Sequence, residues 1–266
     1  MSSTPSPVNT QSLLKMKERG QRISMLTAYD FTIARLLDEA GVDMLLVGDS
    51  LGMVVQGHAT TVPVTLRDMI YHGELVARAA RRAMVVVDLP FPHGHLGVLK
   101  TVEVAARVMK QTGCQAVKLE GGAEQADAIV ALVNAGIPVI AHVGLRPQSV
   151  HALGGYRVHR DDQRLRRDAL AAQQAGAFCV LMECVPQESA KRLTAELKIP
   201  TIGIGAGPDC DGQVLVTNDM LGLTLGKVPK FVRPLCDLGE QVRQAATAYN
   251  ASVRDGTFPS EAESFR

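Results

Sequence analysis

Tryptophan is absent from this chain of 266 residues, and only four tyrosines and six phenylalanines supply aromatic rings. Little is therefore available to stack on exposed bases, and no basic cluster interleaved with aromatic residues occurs. An excess of one charge is missing too. The 28 lysines and arginines oppose 27 aspartates and glutamates, for a net charge of +1, which leaves no field to gather nucleic acid or an anionic membrane. The five cysteines (114, 179, 184, 210 and 236) form no Cys-x-x-Cys pair, and their number is odd. Three lie in or beside apolar runs, where a reduced, buried thiol is expected. No apolar run is long enough to span a bilayer, and Met1-Ser-Ser-Thr-Pro-Ser-Pro7 lacks the basic-then-apolar order of a signal peptide. These absences leave a cytoplasmic protein whose partner is a small molecule, with no nucleic acid and no membrane.

What is present is a repeated alternation. Hydrophobic residues make up 46% of the chain against 21% charged, enough for a sizeable core. Strand-like runs fall at Ile23–Thr27, Met44–Val47, Met84–Val87, Ala116–Leu119, Val139–Ala141, Phe178–Met182, Thr201–Ile204 and Val214–Val216. Helical patterns lie between them, including Thr32–Ala40, Leu66–Arg82, Val102–Thr112, Ala123–Ala135, Leu165–Ala175 and Gln187–Leu197. Several stop at a glycine, the residue that enters the left-handed conformation after a helix without steric penalty. Strands apolar on both faces, each preceded by a helix, describe buried parallel strands. About eight such units in a chain of this length favour a closed (β/α)8 TIM barrel over an open sheet. Residues 1–9, rich in Ser and Pro, are expected to be disordered. Residues 10–266 are expected to form one barrel domain, with a short N-terminal helix over Thr10–Arg19 and a C-terminal helical tail from Leu235.

Five of the strand-like runs end in a polar or ionisable residue: Asp49 followed by Ser50, Asp88, Glu120, His142 and Glu183. In a (β/α)8 barrel the C-terminal strand ends form one rim, where active sites lie. Asp49, Asp88 and Glu120 together make a hard, oxygen-rich set that suits Mg2+ better than zinc. The alternative, that each carboxylate caps a helix or forms a surface ion pair, is weakened by the strand-end position of all three. Lys118 lies two residues before Glu120, so both side chains point to the same side of the strand. The carboxylates or an acidic substrate can partner it, although a structural ion pair with Glu120 is the plainer reading. His142 is equally compatible with a hydrogen-bonded core residue and with a substrate contact. Glu183 closes a strongly apolar run, surroundings that raise a carboxyl toward neutrality and suit a general base, with a surface salt bridge as the alternative.

Three further motifs carry less. Gly203-Ile-Gly-Ala-Gly207 lacks the G-x-G-x-x-G spacing of a dinucleotide site and is expected to form a tight barrel loop. His93-Gly-His95 has metal-like spacing but no third ligand in view. The basic run Arg78–Arg82 reads as the solvated end of a helix.

Thr27-Ala-Tyr-Asp30, Gly48-Asp-Ser-Leu-Gly-Met53, Val117-Lys-Leu-Glu-Gly-Gly122, His142-Val-Gly-Leu-Arg-Pro-Gln148, Met182-Glu-Cys-Val-Pro186 and Ile202-Gly-Ile-Gly-Ala-Gly207 together resemble the ketopantoate hydroxymethyltransferase family. The resemblance runs in order from about Thr10 to Phe265. The loop Pro90-Phe-Pro-His-Gly-His95 departs from it. It implies a barrel of the phosphoenolpyruvate/pyruvate type that moves a hydroxymethyl group from 5,10-methylenetetrahydrofolate to 3-methyl-2-oxobutanoate with Mg2+. It implies further that Asp49, Asp88 and Glu120 hold the metal, and that Ser50 and Lys118 join the first two in binding the 2-oxo acid. Glu183 becomes the proton acceptor, and a homodecamer the assembly. His142 is added to the substrate-binding set from its strand-end position. Two rivals stand beside this reading: another Mg2+-dependent lyase or mutase passing through an enolate, and a non-catalytic barrel that binds a 2-oxo acid.

Overall fold

The computed structural model describes residues 6–156 and 158–265. Eight parallel strands close into a barrel in sequence order: β1 (Ile23–Thr27), β2 (Met44–Val47), β3 (Met84–Asp88), β4 (Ala116–Glu120), β5 (Val139–Gly144), β6 (Cys179–Glu183), β7 (Thr201–Ile204) and β8 (Gly212–Leu215). β8 pairs back onto β1, which leaves no open edge. The helices are α1 (Thr10–Glu18), α2 (Phe31–Glu39), α3 (Leu51–Val54), α4 (Leu66–Ala79), α5 (Val98–Thr112), α6 (Ala126–Asn134), α7 (Val150–Leu153), α8 (Asp162–Gln174), α9 (Gln187–Glu196), α10 (Thr217–Met220) and α11 (Leu238–Arg254). The chain divides into two compact units, Met1–Val216 with the whole barrel and Thr217–Arg266 with α10 and α11.

Alternation along the strands decides what faces inward. Ile23 and Met25, Met44 and Leu46, Met84 and Val86, Ala116, Ile140, Cys179 and Leu181, Ile202 and Val214 form one apolar cluster inside the barrel. Each lies an even number of residues from its strand neighbour in that cluster, as the two-residue period requires. The same parity carries Asp88, Lys118, Glu120, His142 and Glu183 to the interior, at the opposite end of the strands. One side of each strand is thus apolar where it enters and charged where it leaves.

Leu13 of α1, 1% exposed, joins Val8 and Met16 in the apolar cluster, so the N-terminal segment seals the entry end of the barrel. Asn9 caps α1 in a reciprocal box with Ser12. Lys17 ties the helix down through Asp211 at 2.7 Å and the Thr194 carbonyl at 2.9 Å. Residues 1–5 of the segment expected to be disordered lie outside the described residues. Val8, at its end, is instead buried and donates its N–H to the Arg82 carbonyl at 2.8 Å. An apolar side chain that can enter the barrel core is held there in preference to water.

Several boundaries differ from the sequence expectation for local reasons. β3, β4 and β6 continue through Asp88, Glu120 and Glu183, because neighbouring strands extend the ladder past the apolar run. α4 stops at Ala79 and not at Arg82. The carboxylate of Asp38 accepts the backbone N–H groups of Arg81, Arg82 and Ala83 and draws the chain out of the helix. The Arg82 side chain pairs with Asp43 at 2.7 Å, so this end of the basic run is anchored to the barrel. Three single-turn helices, α3, α7 and α10, were not expected.

Candidate active site

The inward parity of β3 to β6 gathers three carboxylates, Asp88, Glu120 and Glu183, at one end of the barrel, the first two on adjacent strands. Asp88 stands opposite Lys118 in the β3–β4 register, and Glu120 opposite His142 in β4–β5. Asp49 lies in the turn after β2, 4% exposed, with its backbone N–H 3.4 Å from Asp88 Oδ2. Lys118 Nζ meets Asp88 Oδ2 at 2.8 Å. The five polar strand-end positions legible in the sequence are therefore brought together, and Lys118 with them. Its partner is Asp88, not the Glu120 of the simple ion-pair reading.

Burial and mutual repulsion govern the electrostatics. Burial, offset by the Lys118 charge and reinforced by Asp49, pushes the Asp88 carboxyl up to about 7. Glu120 is raised well above the ordinary range, by burial first and then by Asp49, Asp88 and Glu183 against the pull of Lys118. Burial alone would lower Lys118, but Asp88, Asp49 and Glu120 outweigh it and hold the ammonium above its usual value. His142 is lowered, by burial first and then by the Lys118 charge, both of which oppose a second proton on its ring. One ammonium thus faces the carboxyl groups of Asp49, Asp88 and Glu120, with Glu183 nearby, and the carboxyls outnumber the cation.

His142 bridges Lys118 and Glu183. Its Nδ1 is 3.1 Å from Lys118 Nζ, and its Nε2 is 3.3 Å from Glu183 Oε2, outside hydrogen-bond alignment. Glu183 does not sit in the apolar enclosure expected from the sequence: its side chain is 18% exposed and lies against the imidazole. Directly after it, Cys184 takes the left-handed conformation, φ 49°, turning the chain out of β6. On the neighbouring strand Gly144, φ 92°, passes so close to the Glu183 carbonyl that a side chain there would collide with it.

Other site residues were not singled out in the sequence. Gln148, in the loop after β5, is buried and donates its side-chain amide to Asp49 Oδ2 at 2.9 Å and to the Leu89 carbonyl at 2.9 Å. Its backbone N–H lies 3.2 Å from Glu120 Oε2. The Tyr29 hydroxyl meets Ser50 Oγ at 2.8 Å and fixes that hydroxyl beside Asp49. Tyr156 is raised by burial and then by Asp49, Glu183 and Glu120, which places its phenol in the field of the site. Gln148 and Tyr29 both lie just beyond strand ends, and that position was the available signal. The His93–His95 segment serves otherwise: His95 Nδ1 pairs with Gln125 Nε2 at 2.6 Å. The glycine-rich loop is a tight turn, its Gly207 carbonyl accepting from Gln213 Nε2 at 2.9 Å.

Among the described residues, no three His, Cys, Asp or Glu side chains stand in a ready-made metal-ligating group. Lys118 and Gln148 occupy oxygens of Asp88 and Asp49 that a cation would use. The donor set nonetheless fits a hard cation. Asp88 Oδ1 is buried without a hydrogen-bond partner, in a cluster where carboxylates outnumber ammonium groups. Burying such an oxygen is unfavourable unless a positive partner completes it.

The chain is similar over nearly its full length to enzymes of one kind. It is 62% identical over 260 residues to a 3-methyl-2-oxobutanoate hydroxymethyltransferase from Rhodopirellula baltica, covering 98% of this chain and 97% of that protein. A protein of the same name from Desulforapulum autotrophicum is 52% identical, with 97% and 98% covered. Among solved structures, a phosphonopyruvate hydrolase complex with oxalate and Mg2+ shares the fold at a TM-score of 0.64 and 14% identity, covering 96% of this chain and 93% of that one. A 2,3-dimethylmalate lyase of the PEP mutase/isocitrate lyase superfamily does so at 0.60 and 19%, with 96% and 91% covered. The family model described as ketopantoate hydroxymethyltransferase matches residues 7–261, and the chain belongs to that family of hydroxymethyl-transferring enzymes.

Proposed function

We propose that this protein transfers a hydroxymethyl group from 5,10-methylenetetrahydrofolate to 3-methyl-2-oxobutanoate, giving 2-dehydropantoate for pantothenate biosynthesis, with Mg2+ as its metal. The names of the relatives support the acceptor and the reaction. The observation that carries the reading is the buried set Asp49, Asp88 and Glu120 around Lys118, with Glu183 one imidazole away. A cytoplasmic homodecamer completes the proposal, resting on the family resemblance.

Asp49, Asp88 and Glu120 would hold Mg2+, which when bound would polarise the ketone and lower the barrier to losing the C3 proton. The rest is the work of the side chains. Lys118 and Ser50 bind the 2-oxo acid, the first by charge and the second by a hydrogen bond from a hydroxyl held in place by Tyr29. The Glu183 carboxylate takes the proton from C3, and the electrons of that C–H bond become the nucleophile. Negative charge developing on the ketone oxygen is stabilised by the Lys118 ammonium. Water opens the folate methylene, both of its C–N bonds break, and tetrahydrofolate leaves with the two water protons on its nitrogens. C3 then bonds to the one-carbon unit so released, which carries the water oxygen, and the proton held by Glu183 passes to that oxygen to complete the hydroxyl. Buried walls around Lys118 exclude other water and keep these charges strong.

The test is proton–deuterium exchange at C3 of 3-methyl-2-oxobutanoate, followed by NMR with Mg2+, and then product formation when the folate donor is added. Exchange and product that vanish with EDTA and with Glu183→Gln support the proposal. Exchange without transfer favours a lyase or mutase. No product with both substrates and Mg2+ overturns it.

A further inference from the structure

We propose that His142 is a positioning residue for the Glu183 base, locked into one tautomer by Lys118, and not a ligand of the 2-oxo acid. The inference rests on the function proposed above and deepens it.

A lysine ammonium carries three N–H donors and no acceptor. Lys118 Nζ lies 3.1 Å from His142 Nδ1 and 2.8 Å from Asp88 Oδ2. Nδ1 must therefore accept, and an imidazole that accepts there has only one proton to place. That proton sits on Nε2. Nε2 is buried without an aligned partner, and Glu183 Oε2 stands 3.3 Å from it. A carboxylate only accepts, so the N–H and the oxygen are complementary, and a small rotation of the partly exposed Glu183 side chain closes the bond. With Oε2 tied to the imidazole, Oε1 is the oxygen left to take a proton. The order Asp88, Lys118, His142, Glu183 runs across four neighbouring strands, β3 to β6. Parity brings each of these side chains inward, which is what lets a charge on β3 set a tautomer on β5 and a carboxylate on β6. Nδ1 thus has the Lys118 ammonium at 3.1 Å, nearer than the Glu120 carboxylate at 3.8 Å, and Nε2 has the Glu183 carboxylate.

Two substitutions separate positioning from substrate binding. In His142→Gln the side-chain oxygen can accept from Lys118 while the amide N–H faces Glu183. His142→Leu offers neither. With Mg2+ and saturating folate donor, His142→Leu is expected to lower kcat about 100-fold, the scale of a misplaced catalytic group. KM and the calorimetric Kd for 3-methyl-2-oxobutanoate should stay within about threefold, and His142→Gln should recover about tenfold of the lost kcat. A rise of tenfold or more in KM and Kd with kcat retained would make His142 a substrate ligand and overturn the proposal. So would a glutamine variant no better than the leucine one, or wild-type kinetics in both. If His142→Leu fails to fold, His142→Asn takes its place, its amide being too short to span both neighbours. Nitrogen NMR of histidine-labelled protein reads the tautomer without any turnover, with the His142 signal assigned by its absence in His142→Gln. A proton on Nε2 supports the lock, and a proton on Nδ1 or on both nitrogens overturns it. An inactive wild type would sink the function proposed above, while the tautomer still decides this inference.

Discussion

Gln148 holds Asp49 from 99 residues away, its side-chain amide donating to Asp49 Oδ2 at 2.9 Å. The same amide reaches the Leu89 carbonyl, and the Gln148 backbone N–H lies against Glu120. One loop residue thereby orients two of the three carboxylates proposed to hold Mg2+. Groups that orient metal ligands typically affect metal affinity about 10–100-fold. Gln148→Leu should weaken Mg2+ binding by that factor in calorimetric titration, with the fold retained in circular dichroism. Unchanged Mg2+ affinity would remove Gln148 from this role.

Lys118 is the one cation inside the carboxylate cluster among the described residues, and its removal leaves buried charges facing each other. Breaking a buried pair on one side costs about 3–5 kcal/mol. Lys118→Met should therefore unfold at lower urea concentration, and saturating Mg2+ should restore more stability to it than to wild type. Equal gains from Mg2+ in the two proteins would contradict the shared-charge account.

A pH dependence follows from Asp88 and Glu120. Both carboxyls are raised in the folded protein, Asp88 from 3.8 to about 7. A raised carboxyl binds its proton more tightly folded than unfolded. Its contribution is complete below the unfolded value and is lost as pH rises through the folded one. The metal-free protein should therefore lose stability between about pH 4 and pH 7 from this cluster, and the rise in Tm given by Mg2+ should grow across the same range. Thermal melts with EDTA and with Mg2+ at stepped pH test this. A Mg2+ gain in Tm that shrinks as pH rises would reverse the sign and refute it.

Leu13 gives a prediction about the scaffold alone. Its side chain is sealed in the entry end of the barrel, at the end away from Lys118 and Glu183. Leu13→Ala should reduce unfolding free energy by about 2–5 kcal/mol, the range for a buried leucine. In urea titrations the midpoint should fall, while kcat per folded molecule stays near that of wild type.

The barrel itself was legible in the sequence because its signals are local. Apolar runs, glycines after helices and the two-residue strand period are properties of neighbours along the chain. They sufficed to place Asp49, Asp88, Glu120, His142 and Glu183 at strand ends and to put Lys118 on the same side as Glu120. The extent of the family resemblance is likewise contained in the order of the motifs. What only the tertiary structure decided depends on which strands and loops lie beside one another. Lys118 chooses Asp88 because β3 and β4 are in register there. α4 ends at Ala79 because Asp38, far earlier in the chain, captures three backbone N–H groups. Gln148 meets Asp49, and Tyr29 meets Ser50, through loops that converge on one rim. Composition and periodicity specify what a strand buries, but hydrogen-bond partners across a barrel mouth are set by register and loop path, which no local pattern encodes.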